Sequence, residues 1–436
     1  MKKVYNFLFI LSPWFILLGM LQVNFQKLIP YQEYFKGRYF FDFYTITDLL
    51  IALLIVVFFA GLIFKKNSFN ANKIPREFIL TTALLLAAGV IQILFQKTYD
   101  PILTDPVEYF RSMILYPLVY ALLIFKTINQ KTLNRFLISY ILMIAVFCSA
   151  ALIQYFFNVF PGVQYDFTKR LVWPYIDPVT LKWQSANWVA FFTTPGFVIS
   201  FIKTFNGIRL RKFNAEFYIF AITAALAATV IYFVQSYGAY AAIFGAIVIY
   251  LFKTLKTKHF LIAFLCLIIA ACGIYALQKN SLKYKIFTGE QKYKYETSTE
   301  ARKDIYKMNF YIIKNYPLLG VGLNQYQSFF NQNKQILGHN FNEVLIPPHA
   351  HNFFISFWTS LGILGVLAML ILIIGIFWRV KFNPMSPAVF ALAAIMIHGL
   401  IDSYYWKPEI AYTFWLVIAL SLETVLEQNR KKSEKI

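Results

Sequence analysis

Apolar residues run along this chain in stretches of about 17 to 25, divided by polar connections, and the alternation continues from end to end. At 1.5 Å per residue each stretch can cross roughly 30 Å of hydrocarbon as a helix. The pattern predicts twelve spans, at 5–23, 46–64, 78–96, 109–125, 136–157, 187–202, 217–235, 237–252, 260–277, 352–378, 387–401 and 410–426. The expected fold is all-α, a polytopic membrane protein of about 12 transmembrane helices in one integral membrane domain, 1–436. One interruption breaks the rhythm. Between the ninth and tenth spans lies a mostly polar loop, 278–350, that ends in Pro348-His349-Ala350-His351-Asn352 at the mouth of the next apolar run. A long insert in a compact protein is functional or disordered, and this one is patterned as an active-site loop.

Within the loop, Thr297-Ser298-Thr299-Glu300 fits a capping box, and Ile305, Met308, Ile312 and Ile313 then recur at helical spacing until Tyr316-Pro317 stops the run. The spacing predicts an amphipathic helix lying on the outer membrane face. Arg302 falls in its first turn, where unpaired N–H groups and the helix dipole favour an anion. Leu318-Leu319-Gly320-Val321-Gly322 follows as a turn.

Composition agrees with the membrane reading: 59% of residues are hydrophobic, 19% aromatic and 14% charged, too few polar side chains to cover a soluble surface. The net charge of +21 points to no nucleic acid, because Lys and Arg concentrate in alternate short connections. Lys65, Lys66, Lys73 and Arg76, then Lys126, Lys131 and Arg135, then Lys203, Arg209, Arg211 and Lys212, then Lys253, Lys256 and Lys258, then Arg379 and Lys381, mark one side, together with the basic tail at Arg430. Cytoplasmic loops carry that bias. Both termini are therefore expected in the cytoplasm and the 278–350 loop outside, with the protein in the cytoplasmic (inner) membrane. Met1-Lys2-Lys3 and the apolar run to Val23 look like a signal peptide, but no small-residue cleavage site follows, so they are read as an uncleaved first helix. Cys148, Cys266 and Cys272 all lie in apolar runs and form neither a disulfide framework nor a metal motif.

Three groups of side chains carry candidate chemistry. His351, at a water-accessible helix entrance, suits a general base; equally, it can hydrogen-bond backbone while Asn352 caps the following helix. His349 lies two residues earlier, with no further carboxylate or Cys ligands nearby for zinc. Arg302, Lys303, Lys169, Arg170, Lys182 and Arg111 form a basic set able to converge on phosphate oxygens or to snorkel toward headgroups. Arg111 lies inside a span, where an Arg costs about 2.5 to 3.5 kcal/mol at the helix centre. Asp402 and His398, near the end of the eleventh span, can pair with each other or with Lys407.

Arg302-Lys303-Asp304-Ile305-Tyr306, then Tyr316-Pro317-Leu318-Leu319-Gly320-Val321-Gly322, then His349-Ala350-His351-Asn352 running into Leu361-Gly362-Ile363-Leu364-Gly365, resemble in order and spacing the hallmark block of the O-antigen ligase and polymerase family of membrane glycosyltransferases. Weaker similarity appears at Ser185-Ala186-Asn187-Trp188, Gln235-Ser236-Tyr237-Gly238-Ala239 and His398 to Lys407, so that most of 180–425 is covered. The resemblance implies a twelve-helix ligase fold whose outer loop closes over a polyprenyl-pyrophosphate-linked glycan donor. It also implies an inverting reaction without metal or other cofactor, with His351 activating the acceptor hydroxyl and Arg302 binding the pyrophosphate. Arg170, Arg111, Tyr237, Asn352, His349 and Lys303 are then expected around the substrate. Family members commonly carry arginine where this chain has Tyr237, so Arg170, Arg111 or Lys182 has to supply that charge, or the donor is held differently.

The acceptor implied is a glycan, a glycolipid or a protein hydroxyl, since polymerases, ligases and protein O-glycosyltransferases of the family share these motifs. A non-catalytic flippase for lipid-linked sugars is the rival from another class. It needs a basic lumen but no general base, and no internal repeat supports it.

Overall fold

The computed structural model describes residues 2–20, 46–63, 74–97, 99, 106–127, 130–159, 165–166, 168–172, 185–290, 298–338, 347 and 349–433. These are almost wholly helical: α1 (Lys2–Met20), α2 (Ile46–Ile63), α3 (Arg76–Phe95), α4 (Pro106–Thr127), α5 (Gln130–Phe157), α6 (Ala186–Leu210), α7 (Ala215–Val234), α8 (Tyr237–Thr254), α9 (Thr257–Gln278), α10 (Leu282–Thr288), α11 (Ser298–Asn315), α12 (Tyr326–Gln332), α13 (Phe353–Val380), α14 (Pro387–Gly399) and α15 (Pro408–Ser433). Eight of them, α3 to α9 and α13, are long and apolar enough to cross a membrane. Shorter apolar helices occupy Lys3–Gly19, Thr47–Ile63, Pro387–Gly399 and Pro408–Leu422. Each predicted apolar run thus coincides with a helix, and the chain is an all-helical, polytopic membrane protein.

Local chemistry sets several helix ends. Ser185 accepts from Asn187 N (3.2 Å) before α6, and Asn214 accepts from Phe217 N (3.0 Å) before α7. Both side chains satisfy N–H groups that a helix start leaves unpaired. The C-terminal residues Arg211 and Gln235 close α6 and α7 in the left-handed conformation.

The chain forms two compact units, each assembled from separate stretches. The first comprises Met1–Thr127, Tyr293–Arg379 and Gly399–Ala419. Buried Asp48 of α2 ties its helices together by accepting from Ser112 Oγ of α4 (3.0 Å) and Tyr412 OH of α15 (2.8 Å). Glu77 of α3 takes two hydrogen bonds from Arg379 of α13, each 2.8 Å. The second unit comprises Ile128–Lys292, Val380–His398 and Leu420–Ile436. In it Gln278 at the end of α9 donates to Tyr240 OH of α8 (2.6 Å) and to the Tyr232 carbonyl of α7 (3.2 Å).

Two features of the first unit depart from the sequence expectation. The tenth predicted span is not one regular helix: α13 breaks at Gly362, whose backbone (φ 66°, ψ −160°) is far from helical. A break exposes peptide groups that hydrocarbon cannot solvate. They are satisfied by the turn after α11: Leu318 O accepts from Ile363 N (3.2 Å), and Thr359 O accepts from Val321 N (2.7 Å). Gly320 (φ 66°) lies against the Trp358 and Thr359 carbonyls, where a side chain has no room.

The second departure concerns α11, which occupies the predicted place. Its apolar residues Ile305, Met308 and Ile312 are buried against Tyr326, Phe329 and Phe330 of α12 and against Leu337, so that face is covered by the loop's own core and not by the membrane. The sequence reading missed α12 because it had assigned the polar tract between the glycine turn and His349 no helix. Thr297 of the predicted capping box lies outside the described residues.

Candidate active site

His351 stands at the junction of loop and helix with a left-handed backbone, φ 49°. A non-glycine residue in that region is held there by its surroundings, and here the surroundings are specific. Asn352 Oδ1 accepts from Ile355 N (3.1 Å), capping α13, while Asn352 Nδ2 donates to Leu400 O (3.0 Å). From the other side, Asn309 Nδ2 donates to Ala350 O (2.8 Å) and Tyr306 OH to His351 O (3.5 Å). Tyr326 OH donates to Asn309 Oδ1 (2.7 Å) and fixes that amide. One face of α11 therefore holds the backbone on which His351 sits.

Arg302 belongs to the same face, four residues before Tyr306 and seven before Asn309. It is half-buried, and its buried Nε finds no hydrogen-bond partner among the described residues. A charged N–H without a partner in such a setting is costly unless an anion completes it. Lys303, one position on, is exposed.

The imidazole of His351 turns Nδ1 to Asp402, 3.0 Å from Oδ1, with the two side chains 26% and 9% exposed. Asp402 Oδ1 also accepts from Ser403 N (2.8 Å). The contact is an ion-pair approach without hydrogen-bond alignment; a rotation of the imidazole that aims the Nδ1 proton at the carboxylate would leave the lone pair on Nε2. The sequence leaves Asp402 to pair with His398 or Lys407; the fold brings it to His351. Neighbouring His349 has its pKa pushed down to about 3, chiefly by burial and then by the positive charge of Lys407 and by His351, with Asp402 opposing. It is neutral at any physiological pH.

Arg111 is buried in α4, only 4% exposed, within a π-helical turn, Arg111–Leu115. That wider turn brings its guanidinium over the Tyr116 ring, 5.9 Å from the centroid. In the second unit, Arg170 is compensated by Asp166, with Nη2 2.7 Å from Oδ2, and its Nε donates both to Asp166 (2.8 Å) and to Thr168 (2.8 Å). Tyr237 opens α8 within the electrostatic reach of Arg170 and Tyr275. His398 packs its ring 4.4 Å from that of Phe191 and against Gly238, where a Cβ would lie 2.8 Å from His398 Cδ2. Of the residues singled out from the sequence, His351, Arg302, His349, Asn352, Lys303 and Arg111 thus belong to the first unit, and Arg170 and Tyr237 to the second. Among the described residues no group of three His, Cys, Asp or Glu side chains is arranged to hold a metal ion.

A multi-pass helical membrane protein with a histidine–carboxylate pair where a polar loop meets a span defines a class of membrane-embedded site. Residues 222–370 match the Wzy_C family model, described as O-antigen ligase, and the chain carries an O-antigen ligase family domain. The matched stretch contains Tyr237, Arg302, His349, His351 and Asn352; Asp402 lies beyond it. The family implies glycosyl transfer. No curated protein matches the chain.

Proposed function

We propose that this protein is an inverting, metal-independent glycosyltransferase that moves a glycan from a polyprenyl-pyrophosphate carrier to an acceptor hydroxyl at the outer face of the cytoplasmic membrane. Twelve crossings, with both termini in the cytoplasm, put the 278–350 loop on that outer face. The observation that carries the reading is the His351–Asp402 pair, 3.0 Å apart, on a backbone held by the helix that bears Arg302.

In this reaction His351 Nε2 takes the proton of the acceptor hydroxyl as its oxygen attacks the anomeric carbon. The bond from that carbon to the pyrophosphate oxygen breaks on the opposite face, and the carrier pyrophosphate leaves with the electron pair. Asp402 stabilises the imidazolium that forms. Arg302 faces the leaving group, whose growing charge needs a fixed cation. Asn352 sets the helix start beside the base, and Lys303, His349 and Arg111 contribute charge and shape within the same unit. Tyr237 stands where family members commonly carry arginine, and Arg170 or Arg111 is the cation that would supply that charge. The acceptor is a glycan, a glycolipid or a protein hydroxyl, and ligase and polymerase use the same constellation.

Purified protein in liposomes, given a lipid-linked glycan and a panel of acceptors, tests the reading. Acceptor-dependent release of polyprenyl pyrophosphate supports transfer. Movement of the donor between leaflets with no product on any acceptor overturns it in favour of a flippase.

A further inference from the structure

The turn after α11 lies deep along a membrane-crossing helix, and two rulers that share one boundary measure how deep. On α13, the unbroken helix from Ile363 to Trp378 spans fifteen residues, about 22 Å at 1.5 Å per residue, which leaves Ile363 roughly 8 Å short of crossing a ~30 Å hydrocarbon core that begins at Trp378. Tryptophans gather at both boundaries of that core. It is the N–H of Ile363 that Leu318 O takes, so the turn sits at that depth.

The second ruler is α3. Its Glu77 pairs with Arg379, the neighbour of Trp378, and so marks the far boundary. Gln92 is fifteen residues on, about 22 Å, which again leaves it roughly 8 Å short of the near boundary. Gln92 Nε2 donates to Leu319 O at 2.5 Å.

The side chains at this depth are apolar and uncovered. Leu318 is 70% and Leu319 41% exposed, and on α13 below them Leu367 and Ile374, seven residues apart on one helical face, are exposed as well. Meanwhile the carbonyls of Pro317, Leu318 and Leu319 all have donors, from Trp358, Ile363 and Gln92. Irregular backbone is tolerated at membrane depth only when its polar groups are satisfied in this way.

We propose that the 316–320 turn is re-entrant: it inserts among the acyl chains of the bilayer, with Leu318 and Leu319 as its lipid-facing anchors. The apolar face of α11 is spent on α12, so the membrane contact of the loop falls to this turn. The bilayer thereby holds the C-terminal end of α11, whose other end carries Arg302. The inference rests on α13 crossing the membrane and not on the glycosyltransferase reading.

The test uses a nitroxide label on Leu318→Cys in the full chain, with the three native cysteines replaced by alanine, reconstituted in phosphatidylcholine liposomes. Power saturation is compared for oxygen, which partitions into lipid, and for a water-soluble nickel chelate. The expected result is a Leu318 label as open to oxygen and as closed to nickel as a label on Ile374→Cys, while one on Lys303→Cys shows the reverse. A Leu318 label as accessible to nickel as that at Lys303 overturns the proposal. So does a Leu318 label that becomes shielded only when polyprenyl phosphate is added, since the surface would then belong to the substrate chain. The same measurement on Leu319→Cys gives a second reading should the first variant fold poorly.

Discussion

His351 and Asp402, fifty-one positions apart in the chain, meet at 3.0 Å through Nδ1 and Oδ1. Such a pair lets one side chain take the proton and the other hold it in orientation. His351→Ala is expected to lower transfer by about 10² to 10⁴ with near-normal expression, the usual range for a general base. Asp402→Asn should lose less, because the imidazole is still present but the amide no longer stabilises the imidazolium. Steady-state transfer assays check both. A well-folded His351→Ala protein with full activity would falsify the base assignment.

Arg302 is predicted to be the principal cation for the leaving pyrophosphate. Arg302→Ala should reduce transfer strongly and Arg302→Lys should restore only part, because an ammonium cannot reproduce the two-pronged geometry of guanidinium. Donor titrations should show the loss in both kcat and KM. If Arg170 or Arg111 supplies the charge missing at Tyr237, then Arg170→Ala or Arg111→Ala should also impair transfer, and Tyr237→Arg should be tolerated or rescue one of them. Transfer should persist in excess EDTA. Abolition by EDTA with recovery in magnesium would assign the pyrophosphate charge to a metal and withdraw this role from Arg302.

The positions of the helices were legible because hydrophobic runs of spanning length leave few alternatives in a bilayer. The α11 helix was legible too, from its 3.6-residue period. What covers that helix was not: the partner residues Phe329 and Phe330 lie in a polar tract whose two-turn helix is too short to show a period. The break at Gly362 was equally hidden, since a glycine in an apolar helix reads as tolerated until its φ is known. Asp402 was visible as an expensive polar residue near a helix end, with His398 or Lys407 as its partners, but that it faces His351 depends on how the chain returns to the loop.

Topology follows from the alternation of Lys and Arg. Single cysteines at Lys303 or Lys314 should react with a membrane-impermeant maleimide added outside intact cells, and cysteines at Arg211 or Lys256 only after permeabilisation. The opposite pattern would move the proposed site to the cytoplasm and leave a polyprenyl-pyrophosphate donor on the wrong side.

Gly362 makes a demand that no other residue meets. At φ 66° and ψ −160° it occupies a region essentially reserved for glycine, and a Cβ there would collide with the Leu318 carbonyl. Gly362→Ala should therefore cost at least the ~1–3 kcal/mol of the strained backbone and disrupt the Leu318–Ile363 hydrogen bond. A lowered unfolding temperature in detergent is the expected readout. Gly273 of α9, with open space around its Cβ position, is the control, and Gly273→Ala should leave the temperature unchanged or raise it, because alanine is the better helix former. Equal behaviour of the two variants would show that the break can relax.

His349 should make the protein sensitive to acid. Its folded pKa, about 3, lies below the ordinary 6.5 because burial and Lys407 disfavour the imidazolium. The unfolded chain therefore binds a proton that the folded one refuses. The stability that goes with this is fully present above pH 6.5 and is lost progressively as pH falls toward 3, by at most about 1.4 kcal/mol per pH unit for one group. His349→Asn removes the titration while keeping a polar side chain of similar size. Measured as the change in unfolding temperature between pH 7.5 and pH 4.5, the variant should lose less than the parent, whatever its starting value. An identical loss in both would mean that the acid sensitivity belongs to other groups and that His349 accepts its proton in the folded state.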